Sequence, residues 1–427
     1  MRPFESRTFL FIWALSVAAS LLMHARSFWL RHEESDELVY LALARRMSWT
    51  LSDYSTRDIP GIRSLPYSIY RQPLFHQPPL YPMILKIGER MGNPVICGLL
   101  YSCGSMVLLL WLTWRWMAFL RIPPAWAAGG FAGLVFCPLV LASTTLLHLD
   151  GLLGIYGACG LVLYIEALDL RSACKAALAG ILLAAAFNLR YNSLLLLPLV
   201  PALQAYQLYR LASGAARSQA VTPMDRRGAF WSSVQERKNW SVFAIVVLLV
   251  AILGLPHYYR ILATYGTLRA SSFIKLEPGA EHFSTYMGLI LRRRPWKMAL
   301  YLLCIFPVLL VFFSPLPYRL IALGLRKGSW APVPLAIFLY LLPAEFLFSY
   351  QQVRFFAAET PFLFLGIPYL LKAASGPARE LLFALGSVSL FSMITTGFIR
   401  TVASPPDAVE IIPSIFYYLP PLMRYYE

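Results

Sequence analysis

"LLHLDGLLGIYGACGLVLYIEAL", residues 146–168, carries one aspartate near its start, Asp150, and one glutamate near its end, Glu166, with no charge between them. About 20 apolar residues are what a helix needs to cross a hydrocarbon core, and a soluble helix of that length would show a polar face. The whole chain agrees. Of its 427 residues 58% are hydrophobic and 14% charged, and the mean hydropathy is +0.60; ordinary soluble domains carry roughly 25% charge. The chain belongs in a bilayer, where a polytopic bundle of this length is one domain.

Working outward from this run, apolar stretches fall near residues 8–25, 94–113, 124–143, 149–168, 174–189, 193–209, 241–257, 298–314, 331–349, 355–372 and 381–399. They predict an all-α, multi-pass protein of about 11 transmembrane helices. The first, "FLFIWALSVAASLLMHARSF", shows no small-x-small cleavage site, so we read it as a retained span rather than a signal peptide. No heptad, low-complexity tract or fixed-period repeat stands out, and the polar, basic stretch 211–239 reads as a loop.

Orientation follows from Lys and Arg in short connections, which stay on the cytoplasmic side. Starting with Arg2 and Arg7 inside, alternate connections carry Arg115 and Arg121, Arg171 and Lys175, the basic loop after Tyr209, Arg319 with Arg326 and Lys327, and Lys372 with Arg379. Two long loops, 26–93 and 258–297, then fall outside. The net charge of +16 fits topology and anionic-lipid contact better than nucleic acid. Five of the six cysteines lie within apolar runs and Cys174 lies at the end of one, so neither a disulfide framework nor a metal spacing is visible.

This topology gathers the unusual polar residues on one face. There "RHEESDELVYLALARRM", residues 31–47, offers the adjacent pair Asp36 and Glu37. Ser35 before two acids is also an ordinary helix start. The pattern after it, with Leu38, Leu41 and Ala42 on one side, suits a helix lying in the interface. Asp150 is expected about a turn inside its span, where an acid is costly and usually faces a cavity or partner. "HQPPLYPMILK" sets a proline-fixed turn before a second amphipathic helix. Arg260 follows a proline and aromatics in "LPHYYRILATYG", where its fork would suit a phosphate. The triplet Arg292 to Arg294 reads first as a headgroup anchor.

In this order the segments resemble the GT-C fold of multi-spanning glycosyltransferases, and within it the superfamily of protein O-mannosyltransferases and aminoarabinose transferases. The landmarks are "DELVYLALARRM", "HQPPLYPMILK", "LLHLDGLLGIYGACGLVLYIEAL", "LAGILLAAAFNLRYNSLLLLPLVPAL", "LPHYYRILATYG" and "VRFFAAETPFLFLGIPYLL". They cover roughly residues 8–372. The resemblance implies a catalytic domain over 1–400 with amphipathic juxtamembrane helices in its outer loops, and a short tail over 401–427. It implies an inverting enzyme that moves a sugar from a polyprenyl-phosphate carrier to a hydroxyl or phosphate acceptor on the non-cytoplasmic face.

Under that resemblance Asp36 is the general base, Glu37 orients it or the acceptor, and Asp150 is the second acid. Tyr40, His76, Gln77, Arg190, His257, Tyr258, Arg260, Arg294 and Arg354 would line the donor-phosphate and substrate site. Two residues depart from the pattern: Gln77 stands where aminoarabinose transferases often have lysine, and His257 where tryptophan is usual, which puts lipid A in doubt as acceptor. The partners implied are a lipid-linked sugar, a glycan, lipid or protein acceptor, and membrane lipid, in a bacterial or archaeal cytoplasmic membrane with the site outside. His32, Glu33, Glu34, Asp36 and His76 could assemble a divalent site, but the resemblance is to the branch that works without metal, so no cofactor is expected. The competing readings are a transporter or flippase of lipid-linked sugars, which predicts inverted repeats and broken helices, and a non-catalytic scaffold.

Overall fold

The computed structural model describes residues 7–29, 35–59, 73–75, 77–145, 149–218, 231, 234–236, 238–266, 295–347 and 356–398. Among them there is no strand. The helices are α1 (Arg7–Trp29), α2 (Ser35–Arg46), α3 (Leu80–Arg90), α4 (Pro94–Phe119), α5 (Pro124–Phe136), α6 (Pro138–Thr145), α7 (Asp150–Leu170) and α8 (Ala173–Phe187). They continue with α9 (Leu199–Ser218), α10 (Lys238–Leu249), α11 (Pro256–Tyr265), α12 (Pro295–Ile305), α13 (Leu316–Arg326), α14 (Val333–Leu347), α15 (Thr360–Ala373) and α16 (Gly376–Phe398). Tyr191–Leu196 and Pro307–Phe313 form tighter 3-10 turns, and Val250–Gly254 a wide π-turn.

Each apolar run of the sequence carries helix. Among the described residues four helices are long and apolar enough to cross a membrane: Arg7–Arg26, Pro94–Phe119, Gly151–Leu170 and Gly376–Thr396. Two bent pairs raise that to six. Trp240–Gly254 meets Pro256–Tyr265 at 51°, and Pro307–Phe313 meets Leu316–Arg326 at 75°. The breaks have a chemical cause, since proline lacks the amide that would continue the helix and is accepted in a first turn, where that donor is not needed. Hence Pro138 separates α5 from α6, Pro256 opens α11 at the 51° bend, Pro307 opens the 3-10 turn after α12 and Pro315 precedes α13 at the 75° bend. Hydrophobicity alone registers neither the breaks nor the short helices, which is why the run 124–143 read as one segment and is two.

The largest core joins α4, α5, α7, α8, α14 and α15. α7 is its centre: in the described part of the span almost every side chain is buried, and Gly154, Gly157 and Gly160 let neighbours approach its backbone. α4, about 39 Å long at 1.5 Å per residue, defines the two ends of the bundle. Its start adjoins α3, at what we term the loop end. Its far end reaches Leu120, whose carbonyl accepts a 2.6 Å hydrogen bond from Lys372 Nζ.

The far end is also tied by ions. Glu166 is almost fully buried, and its Oε2 accepts from Arg115 at 2.7 Å and from Lys175. Arg210 donates to Asp169 Oδ1 at 3.0 Å and to the Gly328 carbonyl, while stacking 4.6 Å above the Trp330 ring. Leaving the buried Glu166 carboxylate unpaired is costly, so its two cations fix how α4, α7 and α8 meet, and the partly exposed Asp169–Arg210 pair adds a tie to α9.

Two expectations need correcting. Leu38 and Leu41, expected on one side of α2, part company: Leu38 is exposed, whereas Leu41 is buried together with Glu37, Val39, Tyr40, Leu43, Ala44 and Met47. Asp150 is the first residue of α7 rather than a turn inside it. There the helix dipole and unpaired amides favour a carboxylate.

The glycines give a direct test of packing. A Cβ on Gly154 would lie 2.5 Å from the carbonyl oxygen of Ala358, whereas one on Gly386 meets nothing within 4 Å. Gly154→Ala is expected to lose about 1–3 kcal/mol by overpacking, and Gly386→Ala to be neutral or gain up to about 1 kcal/mol of helix propensity, in unfolding titrations of the detergent-solubilised protein.

Candidate functional site

A second, smaller hydrophobic cluster lies at the loop end, and around it most of the described candidate residues converge. It is built from α2, the chain from Leu51 to Ile59, Leu74 and Phe75, and α3. These cover the start of α7 at Leu149 and Leu152, the turn at Leu189, and Ile261 of α11. Segments from the first long loop are thus seated on the ends of the spans.

The seat is held by hydrogen bonds to backbone groups that the helix ends leave open. α8 stops at Phe187, and Arg190 is extended before the 3-10 turn. Tyr258 Oη lies 2.8 Å from the Phe187 carbonyl and 3.1 Å from both the Arg190 carbonyl and Ser193 Oγ. The Asn188 carbonyl accepts from Leu80 N at 3.0 Å, the first amide available after Pro78 and Pro79. Asn188 Nδ2 donates to the Leu253 carbonyl within the π-turn at 2.6 Å.

The extended segment before α3 is clasped twice. Tyr265 Oη donates to the Leu74 carbonyl at 2.6 Å and accepts from Leu74 N at 2.9 Å. Tyr54 exchanges similar bonds: its carbonyl accepts from Phe75 N at 2.8 Å, and its hydroxyl donates to the Pro78 carbonyl at 3.2 Å.

Within this frame Glu37 is fully buried, on the same face of α2 as Tyr40. It does not sit as a solvated acid in a first helical turn. Tyr40 meets the edges of Phe75 and Tyr81, and the aromatic series continues through Tyr101 to Tyr156, stacked at 5.8 Å. Gln77 and Arg190 are buried at the same end. His257 is buried with its ring 5.7 Å from that of Tyr54 and 6.2 Å from that of Tyr258.

Arg260 Nη2 donates to the Leu51 carbonyl at 2.7 Å. A guanidinium has five N–H donors, so this anchoring bond still leaves a fork for an oxyanion. Burial pushes the Tyr54 phenol well above its usual range, and the nearby Arg260 charge opposes that.

Arg260 and His257 line a cavity of about 360 Å³ whose other walls are mainly apolar: Leu51, Leu80, Met83, Ile181 and Leu253. Ile181 and Leu253 are 48% and 47% exposed, so one side of the cavity is bordered by exposed apolar side chains. A polar end of guanidinium, imidazole and Asn188 amide meets a hydrocarbon wall; such a space suits an amphiphile with an anionic head.

The chain matches no family model, no curated protein and no solved structure.

Of the residues singled out in the sequence, Glu37, Tyr40, Gln77, Arg190, His257, Tyr258 and Arg260 are brought to this end. Asp36 and Asp150 are placed there by their backbones, at the starts of α2 and α7, and their side chains lie outside the described part. His76, Arg294, Arg354 and the acids and histidine at 32–34 also lie outside it. Tyr258 is a positioning residue, its hydroxyl committed to the 187–193 turn. Tyr54, Asn188 and Tyr265 were not anticipated. Asn188 stands in "FNLRYNS" and Tyr265 in "LATYG", but bonds to distant carbonyls leave no spacing to read.

The Tyr54 shift fixes the sign of an alkaline effect. A phenol held above its unfolded value contributes stability that is fully present below about pH 10, the usual tyrosine value, and falls as pH rises beyond it, because the unfolded chain releases a proton that the folded chain keeps. Melting temperatures between pH 8 and 11 should decline more shallowly for Tyr54→Phe than for the native chain above about pH 10.

Proposed function

We propose that the chain is an inverting glycosyltransferase of the GT-C type, with eleven membrane crossings, that takes a sugar from a polyprenyl phosphate on the non-cytoplasmic face. The observation that carries this is the cavity beneath the loop cluster, mainly apolar in its walls and bordered by exposed Ile181 and Leu253, with Arg260 and His257 at its polar end. A polyprenyl donor cannot leave the bilayer, so a phosphate-binding group must reach it at the interface. The sequence resemblance supplies the reaction class.

In this reading the acceptor hydroxyl gives its proton to the Asp36 carboxylate as its oxygen attacks the anomeric carbon. The bond from that carbon to the phosphate oxygen breaks, and its electron pair leaves with the polyprenyl phosphate. Attack opposite the leaving group inverts the anomeric centre. Arg260 stabilises the charge gathering on the phosphate. Glu37 orients Asp36 or the acceptor, and Asp150, at the amino end of α7, is the second acid of the sugar site. His257 lines the cavity with Arg260, Gln77, Arg190 and Tyr40 lie buried at the same end of the bundle, and His76, Arg294 and Arg354 are proposed as further ligands. No step uses a metal.

One feature favours a second reading. The 51° break between α10 with its π-turn and α11 is the kind of interruption that transporters place at their sites, so flipping of lipid-linked sugars is the alternative. The break sits against Leu51 and Pro79 of the loop cluster, which suits an interfacial site better than a midplane one.

Sugar transfer from a panel of polyprenyl-phosphate sugars, with EDTA present, separates them. Polyprenyl phosphate should be released by the native chain and fall by about 10²- to 10⁴-fold in Asp36→Asn, the usual share of a general base. Native-rate transfer in that variant would overturn the catalytic assignment. Movement of lipid-linked sugar across the bilayer without its consumption would make the protein a flippase.

A further inference from the structure

A second cavity, of about 310 Å³, lies away from the loop cluster, between α5, α15, α16 and the 3-10 turn at Pro307–Phe313. Its wall includes Trp126 and Gly129 of α5, Phe364 and Pro368 of α15, and Phe383 and Gly386 of α16. The volume is at the lower end of the range for ligand pockets, roughly 300–1,000 Å³. Around Gly386 the space is open, whereas Gly130, also in the wall, is filled by Met117. Phe383 is half exposed and Phe391 of the same helix largely so, so the cavity borders the bilayer rather than the interior of the bundle. Left empty, a void of this size would deny contacts to every lining side chain.

Cations surround one end of it. The Arg379 guanidinium lies 5.0 Å above the ring of Trp126, itself part of the wall. Lys372, next to the lining residue Leu371, is held on the Leu120 carbonyl, and Arg121 is exposed beside the lining residue Ile122. Glu380 is the one carboxylate among the described residues that neighbours these cations in sequence. Two copies of the chain meeting here about a two-fold axis would bring like charges together. A lipid tail below an anionic head is complementary to both parts.

We propose that this cavity is a specific site for an anionic phospholipid, one acyl chain lying along Gly386 and Phe383 and the phosphate on Arg379, Lys372 and Arg121. It is separate from the donor cavity and does not depend on the reading of that site.

The test is native mass spectrometry of the full, delipidated chain titrated with phosphatidylglycerol or phosphatidylcholine in detergent. The native chain should retain one phosphatidylglycerol and prefer it over phosphatidylcholine by at least about fivefold, the factor expected for one surface cation. Arg379→Ala with Lys372→Ala should remove that preference. Gly386→Leu, which fills the open space, should weaken phosphatidylglycerol binding at least tenfold while the melting temperature holds. Glycerol 3-phosphate, the same phosphate without chains, should not compete. Undiminished binding to Gly386→Leu, displacement by glycerol 3-phosphate, or a dimer that Gly386→Leu abolishes would each overturn the proposal.

Discussion

The carbonyls released where α8 ends are the points on which the loop end depends. A helix that stops inside an apolar bundle leaves acceptors that water cannot reach, and each must find a donor within the protein. Phe187, Asn188 and Arg190 find theirs in Tyr258 and Leu80, which belong to α11 and to the start of α3. One turn therefore fixes both a span end and the loop segment above it. Asn188 adds a third tie, to the π-turn that precedes α11. Without these bonds the cluster under α2 would have hydrophobic cohesion but no register.

That register gives the site its polarity. Hydrophobic contacts alone would allow α2 to rotate; Tyr40 between Phe75 and Tyr81 holds Glu37 inward. Arg260 is held likewise, one amino group committed to Leu51 and the rest of the fork facing a cavity of hydrocarbon. The proposed chemistry needs that asymmetry, a charged head position fixed by backbone bonds and a tail position left without polar groups. The opposite end of the bundle uses charge differently, with Glu166 and Asp169 each engaging cations from neighbouring segments.

Much of this could be read from the chain. Runs of apolar residues marked where helix lies, and the distribution of polar residues placed Glu37, Gln77, Arg190, His257 and Arg260 at one end. The breaks were less legible, because a scan for hydrophobicity treats Pro138, Pro256 and Pro307 as small losses within long runs. The orientation of α2 was misjudged because Leu38, Leu41 and Ala42 were read as one apolar face of an interfacial helix; in the fold Leu41 is buried, Leu38 is exposed and Glu37 is buried. Tyr54, Asn188 and Tyr265 could not have been found, since their partners are carbonyls distant in sequence that only the fold identifies.

Under the proposed function, the cavity beside Ile181 and Leu253 would be filled sideways, from the plane of the membrane, rather than from water above. A lipid-linked donor would then arrive by lateral diffusion in two dimensions. The quantity that governs occupancy is then the mole fraction of that ligand among the surrounding lipids. Dilution with bulk lipid or detergent would empty the site even at constant molar concentration in the tube.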